Sequence, residues 1–449
     1  MIAPVKTNKQ PRPAMLGLCL LLLSGGALAQ AAGEVEFSRG VGFAQTPGQT
    51  PRTLGKGLPL REGDRLTTSD GASAIIKLED GTRMTVRPNS ELVLQQYKFA
   101  QNAPDNSMVM QLLRGGMRAV TGLIAKSSPN AARIQTNTAT IGIRGTDFDA
   151  RVCAKDCGTE SSRIQERTRP NAVQASAKVV STQGVLEAVD GGGTRRRLVD
   201  GGSVYPGDLV ETASGTKAVL AFRDDSRVTL GGATRFRVDN FVYDDKNPGE
   251  GRFLVSLLRG SVRALTGLIG KANTRNVGFA TSTATIGIRG TGLDLDCGDD
   301  GCSFFTWLGS IVVTPTGLTA LQALEAGQGL FVGPAGIRAL TGPTLQDLQR
   351  PDGVPVDTRQ LFSSNDVPED QEGLFVFVRD GHIEIATTRE ILHLGKGEAG
   401  FAGDNGGTAR PNQIPKFLEF DRLPLPNSRN PMLASILGDS GINTGKVCN

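Results

Sequence analysis

Apolar and polar positions alternate along much of this chain, in runs too short for helices. Phe236, Val238, Asn240 and Val242 fall on one side of a period of two, with Arg235, Arg237 and Asp239 on the other, as expected of a strand with one buried face. Residues 77–86 read as a hairpin turning at Asp80-Gly81, a dipeptide suited to the positive φ angles of a type I′ turn. Residues 112–124 are interrupted by Gly115, Gly116 and Gly122, which disfavours a helix. Residues 138–146 are rich in β-branched side chains, as strands are. The pattern predicts an all-β protein of short antiparallel strands.

The pattern also repeats. Residues 112–149 read LLRGGMRAVTGLIAKSSPNAARIQTNTATIGIRGTDFD, and residues 257–294 read LLRGSVRALTGLIGKANTRNVGFATSTATIGIRGTGLD. They share 22 of 38 positions at an offset of 145, and residues 71–92 align with 215–236 at an offset of 144. In the second copy Asp224-Asp225 takes the place of the Asp80-Gly81 turn. A period this long indicates a duplicated domain rather than a solenoid repeat. The expected architecture is two tandem homologous β-rich domains of sandwich or roll type, 34–160 and 178–335, with a smaller β-containing C-terminal region. Segment 336–372, carrying Pro343, Pro351, Pro355 and Pro368, reads as a linker or long loop. Segment 373–410 reads as a C-terminal β segment and 411–449 as an extended tail. Residues 309–333 and 374–400 form a further, partial echo: each is strand, turn, strand, beginning near Gly309-Ser310-Ile311 and Gly381-His382-Ile383.

Composition and charge narrow the setting. Of 449 residues, 38% are apolar, 21% charged and 5% aromatic, which suits folded domains. Glycine, at 58 residues, is far below the one-in-three of collagen. The one long apolar run is N-terminal: Lys6, Lys9 and Arg12 precede apolar residues 15–23, and Ala27-Leu28-Ala29 supplies a cleavage site. This is the order of a secretory signal peptide, 1–29, and the run is short for a bilayer span. Cys19 lies inside the apolar run behind Leu18, where lipoprotein processing would want a small residue. Cleavage after Ala29 lowers the formal charge from +4 to +1. A nearly neutral mature chain gives no electrostatic case for nucleic acid.

Five cysteines remain after cleavage. Cys153 and Cys157, and Cys297 and Cys302, fall at equivalent points in the two copies. In an exported protein such close pairs read as local disulfides at hairpin tips, although four cysteines allow three pairings. A zinc site wants four nitrogen or sulfur ligands, and only two histidines, His382 and His393, exist; the close cysteine pairs have better disulfide roles, and no metal and no cofactor is expected. Cys448 is left over. No hydrolase elbow, metalloprotease motif, P-loop or dinucleotide fingerprint occurs. The remaining chemistry is carboxylate: Asp147 with Asp149, and Asp294 with Asp296, each two apart on a strand and so on one face. Paired acids of this kind serve glycoside hydrolysis or calcium binding, but also decorate ordinary strand ends.

LEDGTRMTVRPNSELVL at 78–94, followed by TATIGIRGTDFD at 138–149, resembles the FecR-type periplasmic domain family. The motif residues are Asp80, Gly81, Pro88, Ser90, Arg144, Gly145 and Thr146, with Arg289, Gly290 and Thr291 in the second copy, and they read as structural. There, residues 231–234 (Gly-Gly-Ala-Thr) replace Arg87-Pro88-Asn89-Ser90. The resemblance implies periplasmic β-rich domains. Its best-known member relays a signal from an outer-membrane receptor to a cytoplasmic sigma factor and keeps a transmembrane helix. The expectation for this chain is a non-catalytic module for interaction, scaffolding or sensing, in the periplasm or at the surface of a Gram-negative bacterium. Its partner would be a protein or envelope component, with no membrane span after signal cleavage. The alternatives are a receptor-linked regulator of sigma-factor signalling and a glycan-acting enzyme using the paired aspartates.

Overall fold

The computed structural model describes residues 1, 31–127, 131–318, 321–418 and 425–426. The expected signal segment beyond Met1, with Cys19, and the leftover Cys448 lie outside the described residues. In the first copy the principal strands are β1 (Gly33–Arg39), β2 (Ser73–Leu78), β3 (Arg83–Val86), β4 (Glu91–Lys98), β5 (Ser107–Val120), β6 (Ala132–Gln135) and β7 (Thr140–Cys153). The second copy repeats them as β8 (Ala177–Gln183), β9 (Lys217–Phe222), β10 (Arg227–Leu230), β11 (Arg235–Val242), β12 (Arg252–Leu265), β13 (Val277–Thr281) and β14 (Ala284–Gly298). It then adds β15 (Gly301–Pro315), β16 (Gln322–Glu325) and β17 (Gly329–Gly333). After a long excursion come β18 (Gly373–Ala386), β19 (Ile391–Gly395) and β20 (Ala399–Gly403). The protein is all-β, with two sheets of similar size.

The two sheets share one pairing scheme. β6 runs parallel to β5, with Ile134 opposite Met110, and β13 runs parallel to β12, with Phe279 opposite Val255. β7 folds back on β5 to set Asp149 opposite Arg118, and β14 sets Asp294 opposite Arg263. Two local expectations are corrected. The β2–β3 hairpin does turn at Asp80-Gly81, but only Gly81 has positive φ, at +85°. Its amide donates to the Leu78 carbonyl while the Leu78 amide donates to Thr82, so the turn is one residue longer than type I′. Asp225, at φ +66°, takes the Gly81 place in the second copy. Along β11 the alternation breaks between Val238 and Asn240, where the register with β12 slips. This bulge moves Phe241 into the core and leaves Val242 exposed.

The second domain sits inside a hairpin of the first. β14 continues through a tight turn into β15, and the two pair along their whole length. The first domain lacks an adjacent β15. At Cys153 the chain instead leaves through α1 (Cys157–Ser162), builds the second domain, and returns at Gly373. β18 then pairs with β7 from Cys153 opposite Gly373 to Thr140 opposite Ala386. Segment 373–410, expected as a separate region, thus belongs to the first sheet, and β19 and β20 match β16 and β17. The partial echo is this equivalence. A Cβ on Gly381 would lie 2.5 Å from the Gly145 carbonyl oxygen, and one on Gly309 2.2 Å from that of Gly290. Each copy thus needs a glycine facing its Arg-Gly-Thr motif. The first core draws Leu374, Val376, Val378, Ile383, Ile385 and Leu394 from the returning strands, whereas the second is built within 177–332.

Residues 345–356 of segment 336–372 strap the second domain. Arg263 donates to the carbonyls of Leu345 and Leu348, each at 2.7 Å, and Arg227 to that of Val354 at 3.0 Å. Both close cysteine pairs are at disulfide distance, with Cα separations of 5.6 Å for Cys153 and Cys157 and 4.1 Å for Cys297 and Cys302. Only the second spans a hairpin tip; the first joins the end of β7 to α1, where the chain departs for the second domain. A Cys297→Ser/Cys302→Ser variant is expected to lose about 2 kcal/mol, as suits so short a loop. It should keep its β circular dichroism spectrum, because the β14–β15 ladder persists without the bridge. Global unfolding of the variant at room temperature would show that the bridge holds the fold.

Candidate functional site

The repeated motif residues work on the backbone. The Asp80 carboxylate, 2% exposed, accepts from the Thr82 amide at 3.1 Å, the Thr82 hydroxyl at 2.9 Å and the Ile124 amide at 3.3 Å. Pro88 leads into Ser90, whose buried hydroxyl donates to the Gly116 carbonyl and accepts from the Gly116 amide. Thr234 takes over in the second copy, accepting from the Ser261 amide at 3.0 Å. Thr146 donates to the His382 carbonyl at 2.9 Å, and Thr291 to that of Ser310 at 2.9 Å. Gly145 and Gly290 have φ of +58° and +65°, so both motifs form a bulge that bends the strand. Arg144 reaches Glu384 at 3.7 Å, while Arg289 is exposed.

The paired aspartates are divided among separate partners, three of them arginines. Arg118 grips Asp147 with two bonds of 3.2 and 3.0 Å, while Arg379 from β18 donates to Asp149 at 2.6 Å. In the second copy Arg263 donates to Asp294 at 3.0 Å, and Asp296 accepts from Ser261 at 2.7 Å. Asp149 and Asp294 are each 1% exposed. Burial pushes the Asp149 carboxyl upward against the pull of Arg379 and Arg118. It pushes Asp294 up to about 6, with Arg263 opposing. The same arginines also hold backbone, Arg379 donating to the Leu418 carbonyl at 3.4 Å and Arg263 to those of Leu345 and Leu348. Arg87, buried and lowered to about 10 by that burial, donates to the Phe417 carbonyl at 2.9 Å and pairs with Glu160 of α1. Neither pair offers two open carboxylates to a common ligand.

A second polar cluster lies at the seam between the domains. Lys178 of β8 is fully buried and donates to Glu398 at 3.1 Å and to the His393 carbonyl at 3.1 Å. Arg410 donates to the same carboxylate at 3.2 Å and to the same carbonyl at 2.6 Å. The two attractive charges hold Glu398 below the usual carboxylate range even though burial acts the other way. Burial lowers Lys178 to about 8, with Glu398 opposing. The only two histidines of the chain, His382 and His393, stack beside this group, with Nε2 of one 3.3 Å from Nδ1 of the other. The surfaces meet closely. A Cβ on Gly201 would fall 2.1 Å from the His393 ring, and one on Gly395 2.5 Å from the Ser203 hydroxyl.

Nothing local to either residue joins Lys178 with Glu398, which lie 220 residues apart. One signal was available: the duplication aligns Lys178 with Glu34, and β20 against β17 aligns Glu398 with Gln328, so both partners differ from their counterparts. Among the described residues no group of three or more His, Cys, Asp or Glu could hold a metal ion, and no helix is long and apolar enough to cross a membrane.

The family described as FecR protein matches residues 64–165 and 208–312. No curated protein matches the chain. Two crystal structures of a candidate anti-sigma factor from Parabacteroides distasonis match at 15% identity and a TM-score of 0.25, over 31% of this chain. The match spans 62% of the length of that protein.

Proposed function

Since the chain carries two FecR-type domains, we propose that it is an exported, non-catalytic regulatory or sensing module of the cell envelope, acting by binding another protein or envelope component. The observation that carries the non-catalytic part is the fate of the repeated aspartates. In both copies the buried carboxylate is tied to an arginine, and that arginine also donates to a backbone carbonyl of the chain. Export is supported by the basic, apolar, Ala-x-Ala order of residues 1–29 and by two close cysteine pairs at disulfide distance, which suit an oxidising compartment.

The test combines N-terminal sequencing with crosslinking in intact cells. The reading expects a mature chain beginning at Gln30, in the periplasmic or surface fraction, crosslinked to a defined envelope component. Retention of residues 1–29 would favour a membrane-anchored regulator. Release of reducing sugar from envelope glycan, abolished by Asp149→Asn, would replace the reading with an enzyme.

A further inference from the structure

We propose that the seam between the two domains is an acid-responsive latch, in which protonation of His382 and His393 releases β8 of the second domain from the β19–β20 turn of the first. The proposal rests on the interface itself and does not depend on the reading above. Three features meet there: a buried ion triad, a stacked histidine pair, and two glycine-lined close approaches. The latch joins domains that have separate cores, so the seam can open while each domain stays folded.

The surroundings of the histidines are cationic. Lys178 faces them from β8, Arg144 from β7 and Arg410 from the chain after β20. The nearest acids are occupied: Glu398 by Lys178 and Arg410, and Glu384 by Arg144. Among the described residues, His382 Nδ1 is buried without a hydrogen-bond partner. Burial, joined by the Lys178 charge, lowers His393 to about 4. Burial and the neighbouring His393 push His382 well below the usual histidine value. In the closed seam both rings are therefore neutral, and on opening they regain an ordinary value near 6.5.

The sign follows. Below about pH 6.5 the open form binds protons that the closed form refuses, so acid favours opening. The opening constant rises by about tenfold per pH unit for each histidine that gains its proton only on opening. Lys178 stays charged throughout this range, and Glu398, held low, stays ionised above its usual value of 4.5. Asp200, on the turn beside Gly201, is raised by burial against a backbone hydrogen bond from Thr182 and the Arg144 charge, and it works in the opposite direction near the acid end. Tyr205 is raised by burial and titrates far above the window. The histidine response should thus dominate between about pH 6.5 and 4.5.

Hydrogen exchange of the full chain at graded pH, corrected for intrinsic rates, reads this directly. Peptides over the turns that meet across the seam, 199–203 and 395–398, should lose protection reversibly as pH falls through this window, while 177–183 and 218–222, paired with each other inside the second domain, and 74–78 keep theirs. His382→Phe/His393→Phe should abolish the response. His382→Asn or His393→Gln alone should remove about one proton, or tenfold per pH unit, from its slope. Should the double variant fail to fold, the slopes of the two single variants decide. Simultaneous loss of seam and core protection, a pH-independent seam, or a wild-type slope in the variants would each overturn the latch.

Discussion

Truncation after Glu372 is expected to unfold the first domain and spare the second. The missing strands β18–β20 supply Leu374, Val376, Val378, Ile383, Ile385 and Leu394, all buried, to the first core. Burial of each such side chain is worth about 1.5–3 kcal/mol, so their joint loss is on the order of 10 kcal/mol. That matches the whole stability of an ordinary domain, about 5–15 kcal/mol. Truncation also uncovers β7 along its length as an unpaired edge. The second core, built from residues 177–332, loses nothing. Hydrogen exchange should show collapse of protection over 74–78 and 108–112, with 218–222 and 284–298 still protected. Two independent tandem domains would give the reverse for the first region, full protection without the C-terminus.

Removing the seam carboxylate should be the most damaging single substitution. Glu398→Ala leaves Lys178 and Arg410, whose side chains are 0% and 3% exposed, facing one another without an anion. Breaking a buried ion pair from one side costs about 3–5 kcal/mol. Lys178→Met should cost less than half as much, because Glu398 keeps Arg410 and the methionine fills the space without a charge to bury. Denaturant midpoints of the three proteins at pH 7 test this asymmetry. Equal losses in the two variants, or a neutral Glu398→Ala, would show that the triad is solvated.

What the sequence discloses and what it hides divide along physical lines. Period-two patterning and the 22 shared positions make the strands and the duplication legible, since both are local properties. The echo of Gly309 in Gly381 is legible too, but its meaning is not: β7 and β18 lie more than 200 residues apart, and nothing in either strand names its neighbour. A bulge reverses the alternation at Phe241, because one extra residue swaps the faces. The prolines of 336–372 suggest a free linker, whereas the backbone carbonyls there are acceptors for Arg263 and Arg227. Backbone acceptors are the same in every sequence and leave no mark. The aspartates were visible as candidates, but their arginine partners include Arg379, which arrives only with the returning strand.

The nesting of the second domain within the β7–β18 hairpin is tested most directly by a crosslink across that pair. Thr140 and Ala386 stand opposite each other near the strand ends, and both are only partly buried. Directly opposed Cβ atoms in antiparallel strands are about 4.5–5.5 Å apart, close enough for a disulfide after small adjustment. In a Thr140→Cys/Ala386→Cys variant, mild oxidation followed by peptide mapping should give an intrachain link between residues 140 and 386 in the monomer. Two free thiols at these positions, or a link only between separate chains, would contradict the account.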